Sequence, residues 1–130
     1  MPNPDAPAPI VFFDIVGPDV ASQAAFYQAV FRWEAAPDGR LAVPAATPLP
    51  GNLRVEDPQQ GPIAERVLYV GVPDVDATLE SVKAHGGSVV FGRTVVPGVI
   101  IVALIEDPAG NRMGLVELDS AGQPIVPPAR

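Results

Sequence analysis

The sequence contains no cysteine and a single histidine, His85. Without cysteine the chain has no disulfide, no thiolate zinc site and no cysteine nucleophile. Basic residues are also scarce, because 8 Lys and Arg stand against 15 Asp and Glu and give a net charge of −7. Nucleic acids and anionic membranes attract clustered cations, so this balance argues against both as partners.

Long apolar segments and a secretory signal are missing as well. The longest apolar run, Val99–Ile105, is far too short to cross a bilayer. The first residues, MPNPDAPAP, lack the basic start and apolar centre of a signal peptide, so a cytoplasmic location is the default expectation. The sequence has no P-loop or dinucleotide fingerprint, and one histidine at a helix end offers no Ser-His-Asp set.

What the sequence does contain is the composition of one folded domain. Its 130 residues are 48% hydrophobic and 18% charged, which is typical of a chain that buries a core. The 17 prolines crowd the two ends and the middle. Because proline lacks the amide hydrogen that helices and central strands use, we predict an extended arm at 1–8 and a proline-rich tail at 119–130.

The first half of the chain reads as a strand, a helix and two short strands. The run PIVFFDIV at 9–16 is rich in β-formers, and Asp19 then caps a helix with apolar residues at helical spacing. Trp33 closes this helix, where we assign it to the core or to a dimer interface. The two weaker strands are expected near 40–44 and 52–56.

The second half repeats the strand and the helix and adds three strands. The segment RVLYVGV at 66–72 precedes a helix that is capped by Asp74 and ended by Gly86 and Gly87. The remaining strands are predicted at 88–92, 99–106 and 112–118, with the turn DPAGN joining the last two.

The triplet PDV marks the same strand-to-helix transition in both halves. Aligning the two triplets places Asp19 on Asp74 and Val20 on Val75. A unit of this size cannot cover its own sheet face. We therefore expect two modules that share one core, at about 9–60 and 64–118.

Three segments together make the chain resemble the vicinal-oxygen-chelate superfamily, which includes glyoxalases, bleomycin-resistance proteins and extradiol dioxygenases. They are FFDIVGPDVASQAAFYQAVFRWE, YVGVPDVDATLESVKAHGGSVV and EDPAGNRMGLVE. The resemblance covers about residues 9–118. It implies an α+β fold of two tandem βαβββ modules, whose curved mixed sheets form a cleft, and it implies a homodimer.

The residues that hold a divalent metal in many members of that superfamily are replaced here. The resemblance places the ligands at Phe12, at its repeat mate Val67 and at Gly114, and none of these side chains has a donor atom for zinc, iron or manganese. His85 ends the second helix, where we expect it to interact with the last carbonyls. We therefore expect neither a metal nor another cofactor.

Strand alternation predicts which side chains line the implied cleft, because neighbouring side chains of a strand point to opposite faces. The predicted lining is Phe12, Asp14, Val67, Tyr69, Gly114 and Val116. It is mostly apolar with a few polar groups, as small-molecule pockets are. Gly114 either leaves room for a ligand or accommodates a bulge or close strand contact.

Two candidate catalytic residues, Asp14 and Tyr69, each keep a structural alternative. Asp14 is either a general base or a carboxylate that is salt-bridged or reaches solvent at a strand end. Tyr69 either stabilises a ligand oxygen or anchors its hydroxyl to the backbone. Arg93 is interpreted as an ordinary surface charge, like Arg66 and Lys83.

Three functions stay open at this point. The first is a glyoxalase- or bleomycin-resistance-like protein that binds a small, largely apolar or aromatic molecule in a metal-free cleft. The second is a metal-independent isomerase, cyclase or lyase that acts on a carbonyl compound with Asp14 as general base. The third is a regulatory or assembly subunit whose cleft is vestigial.

Overall fold

The computed structural model describes residues 6–43, 49–56 and 64–129. These residues form an α+β fold, as predicted. The helices are α1 (Val20–Phe31) and α2 (Val75–Ala84). The strands are β1 (Ile10–Gly17), β2 (Arg40–Val43), β3 (Leu49–Val55), β4 (Glu65–Val72), β5 (Ser88–Val96), β6 (Ile100–Glu106) and β7 (Arg112–Glu117).

The described residues group into two compact units. The first unit is Phe12–Leu68, where α1 accompanies strands in the order β2–β3–β1. The second unit consists of the described residues before Phe12 and after Leu68. It contains the part of β4 from Tyr69 onward, followed in strand order by β7, β6 and β5. The sheet structure is mixed, because β1 and β3 run parallel whereas β2–β3, β5–β6 and β6–β7 are antiparallel.

The two predicted helix caps are confirmed, and their backbones are nearly identical. Asp19 has φ −146° and ψ 112°, and its carboxylate accepts hydrogen bonds from the amides of Ala21 and Ser22. Asp74 has φ −148° and ψ 104°, and it accepts from the amide of Ala77. Each cap satisfies amides that have no partner inside the helix.

The predicted end of α2 is also confirmed. Gly86 has a φ of +92°, which an L side chain rarely adopts, and the Gly87 amide donates to the Val82 carbonyl at 3.0 Å. His85 Nδ1 lies 2.8 Å from the Ser81 carbonyl oxygen, which is the predicted contact with a last-turn carbonyl.

Each unit buries its own apolar residues. In the second unit, α2 turns Val75 and Leu79 toward the strands, and they pack with Val72, Ala103 and Leu115. The buried apolar residues of the first unit include Val16, Leu41 and Leu53. Among the described residues, no helix combines the length and the apolar character that a membrane crossing requires.

The proline-rich ends contact the second unit through their carbonyl oxygens. Pro9 accepts a hydrogen bond from the Gly71 amide at 2.9 Å, and Pro127 accepts from the Gly98 amide at 3.0 Å. In the tail, Leu118 pairs with Pro124 in an antiparallel bridge. Proline can lie beside a strand in this way because its carbonyl remains available although its nitrogen has no hydrogen.

Candidate functional site

The residues predicted to line the cleft are divided between the two units. Phe12, Asp14 and Val67 belong to the first unit, whereas Tyr69, Gly114 and Val116 belong to the second. Val67 and Val116 are 0% exposed and Asp14 is 2% exposed. Of the six predicted residues, only the aromatic side chains of Phe12 and Tyr69 are partly exposed to solvent.

Asp14 is a buried carboxylate that forms an ion pair. Its Oδ2 accepts a hydrogen bond from Nε of Arg54 at 3.0 Å, and Arg54 lies on the neighbouring strand β3. A carboxylate that leaves water needs such a partner, because an uncompensated buried charge is costly. The structure therefore shows Asp14 as a salt-bridged residue, and a general base at this position has to act beside a guanidinium.

Gly114 lies directly against the ring of Tyr69. A Cβ atom built on Gly114 meets Cγ of Tyr69 at 2.8 Å, and Cδ2 and Cε2 lie closer still. Of the two predicted roles of Gly114, the close approach of a neighbouring strand is the one present here. Tyr69 occupies the space that a larger side chain at position 114 requires.

The first unit contains the same arrangement of an aromatic ring over a strand glycine. Phe13 is paired with Gly51 in the parallel register of β1 and β3, and its ring covers the position that a Gly51 Cβ requires. An aromatic residue over glycine buries ring surface against backbone, so both glycines have a packing role.

An ion pair between a buried carboxylate and an exposed guanidinium, which the sequence pattern did not predict, connects β7, β5 and α2. Glu117 is 8% exposed, and its carboxylate accepts from Arg93 Nη2 at 2.7 Å and from Arg93 Nε at 3.1 Å. The same carboxylate accepts from the Val75 amide at 2.9 Å, in the first turn of α2. Arg93 is exposed, as the interpretation of it as a surface charge expects, but its guanidinium is paired with this buried carboxylate.

These contacts shift the titration of both partners. The guanidinium of Arg93 holds the pKa of Glu117 below its ordinary value near 4.5, burial opposes this effect, and the Val75 amide adds to the lowering. The hydrogen bonds that Arg93 donates to Glu117 raise the pKa of Arg93 in turn. Glu117 thus provides a fixed negative charge at the N-terminus of α2, where the helix dipole favours it.

A signal for this ion pair was present in the sequence, although its partner was not. Glu117 stands between Val116 and Leu118 in an apolar strand, and a carboxylate there requires a compensating cation. Arg93, the cation that pairs with it, lies where the pairing of β5 with β6 shifts, between Phe91 and Thr94. Such irregularities re-aim a side chain, and they have no dependable sequence signature.

The residues at which the resemblance places the metal ligands do not fit a metal ion. Phe12 and Val67 are hydrocarbon side chains, and the ring of Tyr69 fills the space beside Gly114. Within the part of the chain that the structure describes, no three His, Cys, Asp or Glu side chains are grouped to hold a metal. The side chains at these positions therefore provide no donor atoms through which a metal could take part in a reaction.

Each unit also has a surface cavity of its own. In the second unit, a groove of about 470 Å³ runs between the N-terminal arm and the first turns of α2. In the first unit, a more open depression of about 440 Å³ is lined by Ala24, Ala25, Gln28, Glu34 and Ala35. Neither cavity is lined by the predicted residues Phe12, Asp14, Val67, Tyr69, Gly114 or Val116.

Comparison with known proteins identifies the family. Residues 10–116, nearly all of the described fold, match the model of the glyoxalase-like domain. The chain belongs to the glyoxalase-like domain family. This assignment confirms the predicted membership of the vicinal-oxygen-chelate superfamily.

A curated relative of this glyoxalase-like domain is the anthracycline biosynthesis protein DnrV of Streptomyces peucetius. The two are 32% identical over 126 residues, which cover 82% of this chain and 45% of DnrV. The glyoxalase-like domain thus spans about half the length of that relative.

Solved structures share the fold at low identity. An NAD-dependent benzaldehyde dehydrogenase from Legionella pneumophila aligns with a TM-score of 0.62 and 14% identity, over 83% of this chain and 98% of the other. Methylmalonyl-CoA epimerase from Mycobacterium tuberculosis aligns with a TM-score of 0.58 and 18% identity, over 86% and 89%. At such identities the likeness supports the glyoxalase-like fold alone.

Proposed function

We propose that this glyoxalase-like domain binds a small, largely apolar, aromatic molecule without a metal ion. The observation that carries the proposal is the replacement of the superfamily's metal ligands by Phe12, Val67 and Gly114, together with the ring of Tyr69 over Gly114. Binding an apolar molecule depends on shape and burial, and it needs no Lewis acid.

The ligand class is proposed from two further features. Phe12 and Tyr69 are the partly exposed aromatic members of the predicted cleft lining, and aromatic rings favour offset or edge contacts with other rings. DnrV carries the name of an anthracycline biosynthesis protein, and anthracyclines have a planar polycyclic aromatic core. We propose that the protein binds a ligand of this kind inside the cell and that it does so as a homodimer.

Binding of a tetracyclic anthracycline should not depend on a metal ion. Calorimetric titration of the purified protein is expected to give the same Kd, within about twofold, with EDTA and with added zinc ions. A Kd that EDTA weakens and zinc restores would contradict the proposal.

Phe12→Ala is expected to weaken that binding on the order of tenfold, because a partly exposed ring at the ligand is lost. Phe91→Ala is the matched control, since Phe91 is also a partly exposed phenylalanine of a strand but lies outside the predicted lining. Equal effects of the two variants would show that Phe12 does not contact the ligand.

The alternative function is a metal-independent isomerase, cyclase or lyase acting on a carbonyl compound. The buried position of Asp14 favours it, because a carboxylate shielded from water is suited to abstract a proton once its ion pair with Arg54 opens. In this alternative Tyr69 stabilises the oxygen of the resulting enolate.

Asp14→Asn separates the two functions. The amide keeps the shape of the side chain but cannot accept the substrate proton, so an enzyme is expected to lose about 10²-fold or more in turnover. A binding protein for neutral compounds is expected to keep its affinity within a few-fold. Thermal unfolding of the variant supplies the control, because loss of the ion pair with Arg54 lowers stability in both cases.

A further inference from the structure

The sheet of the first unit has α1 on one of its two faces. A Cβ atom built on Gly17 meets the side-chain amide of Gln23, a residue of α1, at 2.9 Å, so the Gly17 side of β1 lies under the helix. Neighbouring residues of a strand point to opposite faces. Phe12, Asp14 and Val16 therefore lie on the face opposite to α1, which we call the far face.

Arg54 lies on the far face beside Asp14. Strand β3 runs parallel to β1 with Arg54 opposite Val16, and Arg54 Nε donates a hydrogen bond to Asp14 Oδ2 at 3.0 Å. The side chain of Asp14 is 3% exposed, whereas that of Arg54 is 32% exposed. The carboxylate is thus enclosed, and the guanidinium that it holds reaches solvent.

The contact with Asp14 uses one edge of the Arg54 guanidinium. A guanidinium has five N–H donors in a planar fork. Among the described residues, Nε is the nitrogen of this side chain that forms a hydrogen bond, so Nη1 and Nη2 keep their donors for another acceptor. A carboxylate matches such an edge because its two oxygens accept two parallel hydrogen bonds.

The two units join their first and last strands in the same way. The Glu56 amide donates to the Gly17 carbonyl at 2.9 Å, and the Leu118 amide donates to the Val72 carbonyl at 2.8 Å. Gly17 and Val72 are also aligned by the PDV repeat. These two contacts therefore define which residues of the two strand pairs are equivalent.

The second unit forms the same strand pair without an ion pair at this place. Counted back from the equivalent contacts, Tyr69 stands at the position of Asp14, and Val116, which is 0% exposed, stands at the position of Arg54. Buried ion pairs also add little stability compared with hydrocarbon side chains of similar volume. The pair of Asp14 and Arg54 therefore fits a role in recognition better than a role in folding.

We propose that Arg54 binds a carboxylate of the ligand through Nη1 and Nη2, while Phe12 on the same face contacts the aromatic part. The inference rests on the proposed function and narrows its ligand to an aromatic carboxylate. The chain carries a net charge of −7, so an anion needs a local cation to bind. The ligand carboxylate lies at the edge of the guanidinium away from Asp14, so the cation separates the two anions.

Calorimetric titration with anthraquinone-2-carboxylate and anthraquinone-2-carboxamide tests the role of Arg54. The two planar probes have nearly the same shape, and only the first is charged. The wild-type protein is expected to bind the carboxylate on the order of tenfold more tightly, because hydrogen bonds between charged groups are the stronger ones. Arg54→Met is expected to abolish this preference and to change the Kd of the carboxamide by less than about threefold.

Two further variants support the interpretation. Arg54→Lys keeps a cation beside Asp14 if Arg54→Met fails to fold, and it is expected to reduce the preference at least about threefold, since an ammonium group lacks the planar fork. Arg93→Met is the matched control, because Arg93 is likewise paired with an enclosed carboxylate, Glu117, but in the second unit. This control is expected to keep the preference, and circular dichroism verifies the folding of each variant.

The outcomes separate this inference from the proposed function. Equal affinity of the wild-type protein for the two probes overturns the role of Arg54 alone. So does a preference that a folded Arg54 variant retains in full, or one that Arg93→Met loses equally. Binding of a tetracyclic anthracycline but of neither probe also overturns the inference alone. Failure to bind the anthracycline and both probes overturns the proposed function, and the inference with it.

Discussion

Gly114→Ala is expected to lower the free energy of unfolding by about 2–3 kcal/mol, because the added methyl group collides with the ring of Tyr69. Carbon atoms pack best at about 3.5–4.0 Å, and the new Cβ lies well inside that separation from three ring atoms. Urea unfolding measures the change. A shorter side chain at position 69 relieves the collision, so Gly114→Ala is expected to cost at least about 1 kcal/mol less in a Tyr69→Ala background.

Gly92→Ala provides the control for this prediction. Gly92 also lies in a strand, but the nearest atom to its added Cβ is Cδ1 of Leu79 at 4.0 Å, an ordinary contact. Its substitution is expected to change stability by no more than about 0.5 kcal/mol. If Gly114→Ala is as mild as Gly92→Ala, the glycine leaves open space and its packing role is refuted.

Glu117→Gln is expected to lower the free energy of unfolding by about 2 kcal/mol at neutral pH. The side-chain oxygen of the introduced glutamine can still accept the hydrogen bond from the Val75 amide. The guanidinium of Arg93, however, loses the negative charge of Glu117. A fully buried pair would cost more, but the Arg93 side chain is 36% exposed and water compensates part of the loss. Chemical denaturation at pH 7 measures the difference.

The stabilisation by Glu117 should disappear in acid. Arg93 lowers the folded-state pKa of Glu117 beneath its ordinary value near 4.5, so unfolding takes up a proton at pH values between the two. The contribution is therefore complete above about pH 5 and is lost as the pH falls through the folded-state pKa. Wild type and Glu117→Gln are expected to converge in stability on acidification.

The exposed ion pair on α2 supplies the control for Glu117→Gln. Lys83 Nζ lies 2.8 Å from Oε2 of Glu80, which precedes it by three residues on the helix, and both side chains are well exposed. Glu80→Gln is expected to cost no more than about 0.5 kcal/mol at any pH, because exposed pairs contribute little. An equal effect of the two substitutions would show that the Glu117 pair behaves as a surface pair.

At the positions where the superfamily resemblance places metal ligands, this chain has Phe12, Val67 and Gly114. The ring of Tyr69 fills the space that a larger side chain at position 114 requires. Restoring a carboxylate by Gly114→Glu would meet the same collision as alanine. The packing of Tyr69 against Gly114 therefore disfavours a carboxylate side chain at position 114.

The sequence by itself determined the local structure and the family. Asp19 and Asp74 mark both helix starts, Gly86 marks a helix end, and the PDV repeat orders the elements. These features were predictable because a cap or a left-handed turn depends on neighbouring residues and has a chemical signature.

Only the tertiary structure decided which distant residues meet. It paired Asp14 with Arg54, joined Arg93 to Glu117 and placed Tyr69 on Gly114. A carboxylate within an apolar strand predicts that a partner is present, because burying a charge without one is costly. Which cation arrives, and which ring covers which glycine, depends on strand register and bulges that are set by packing of the whole sheet.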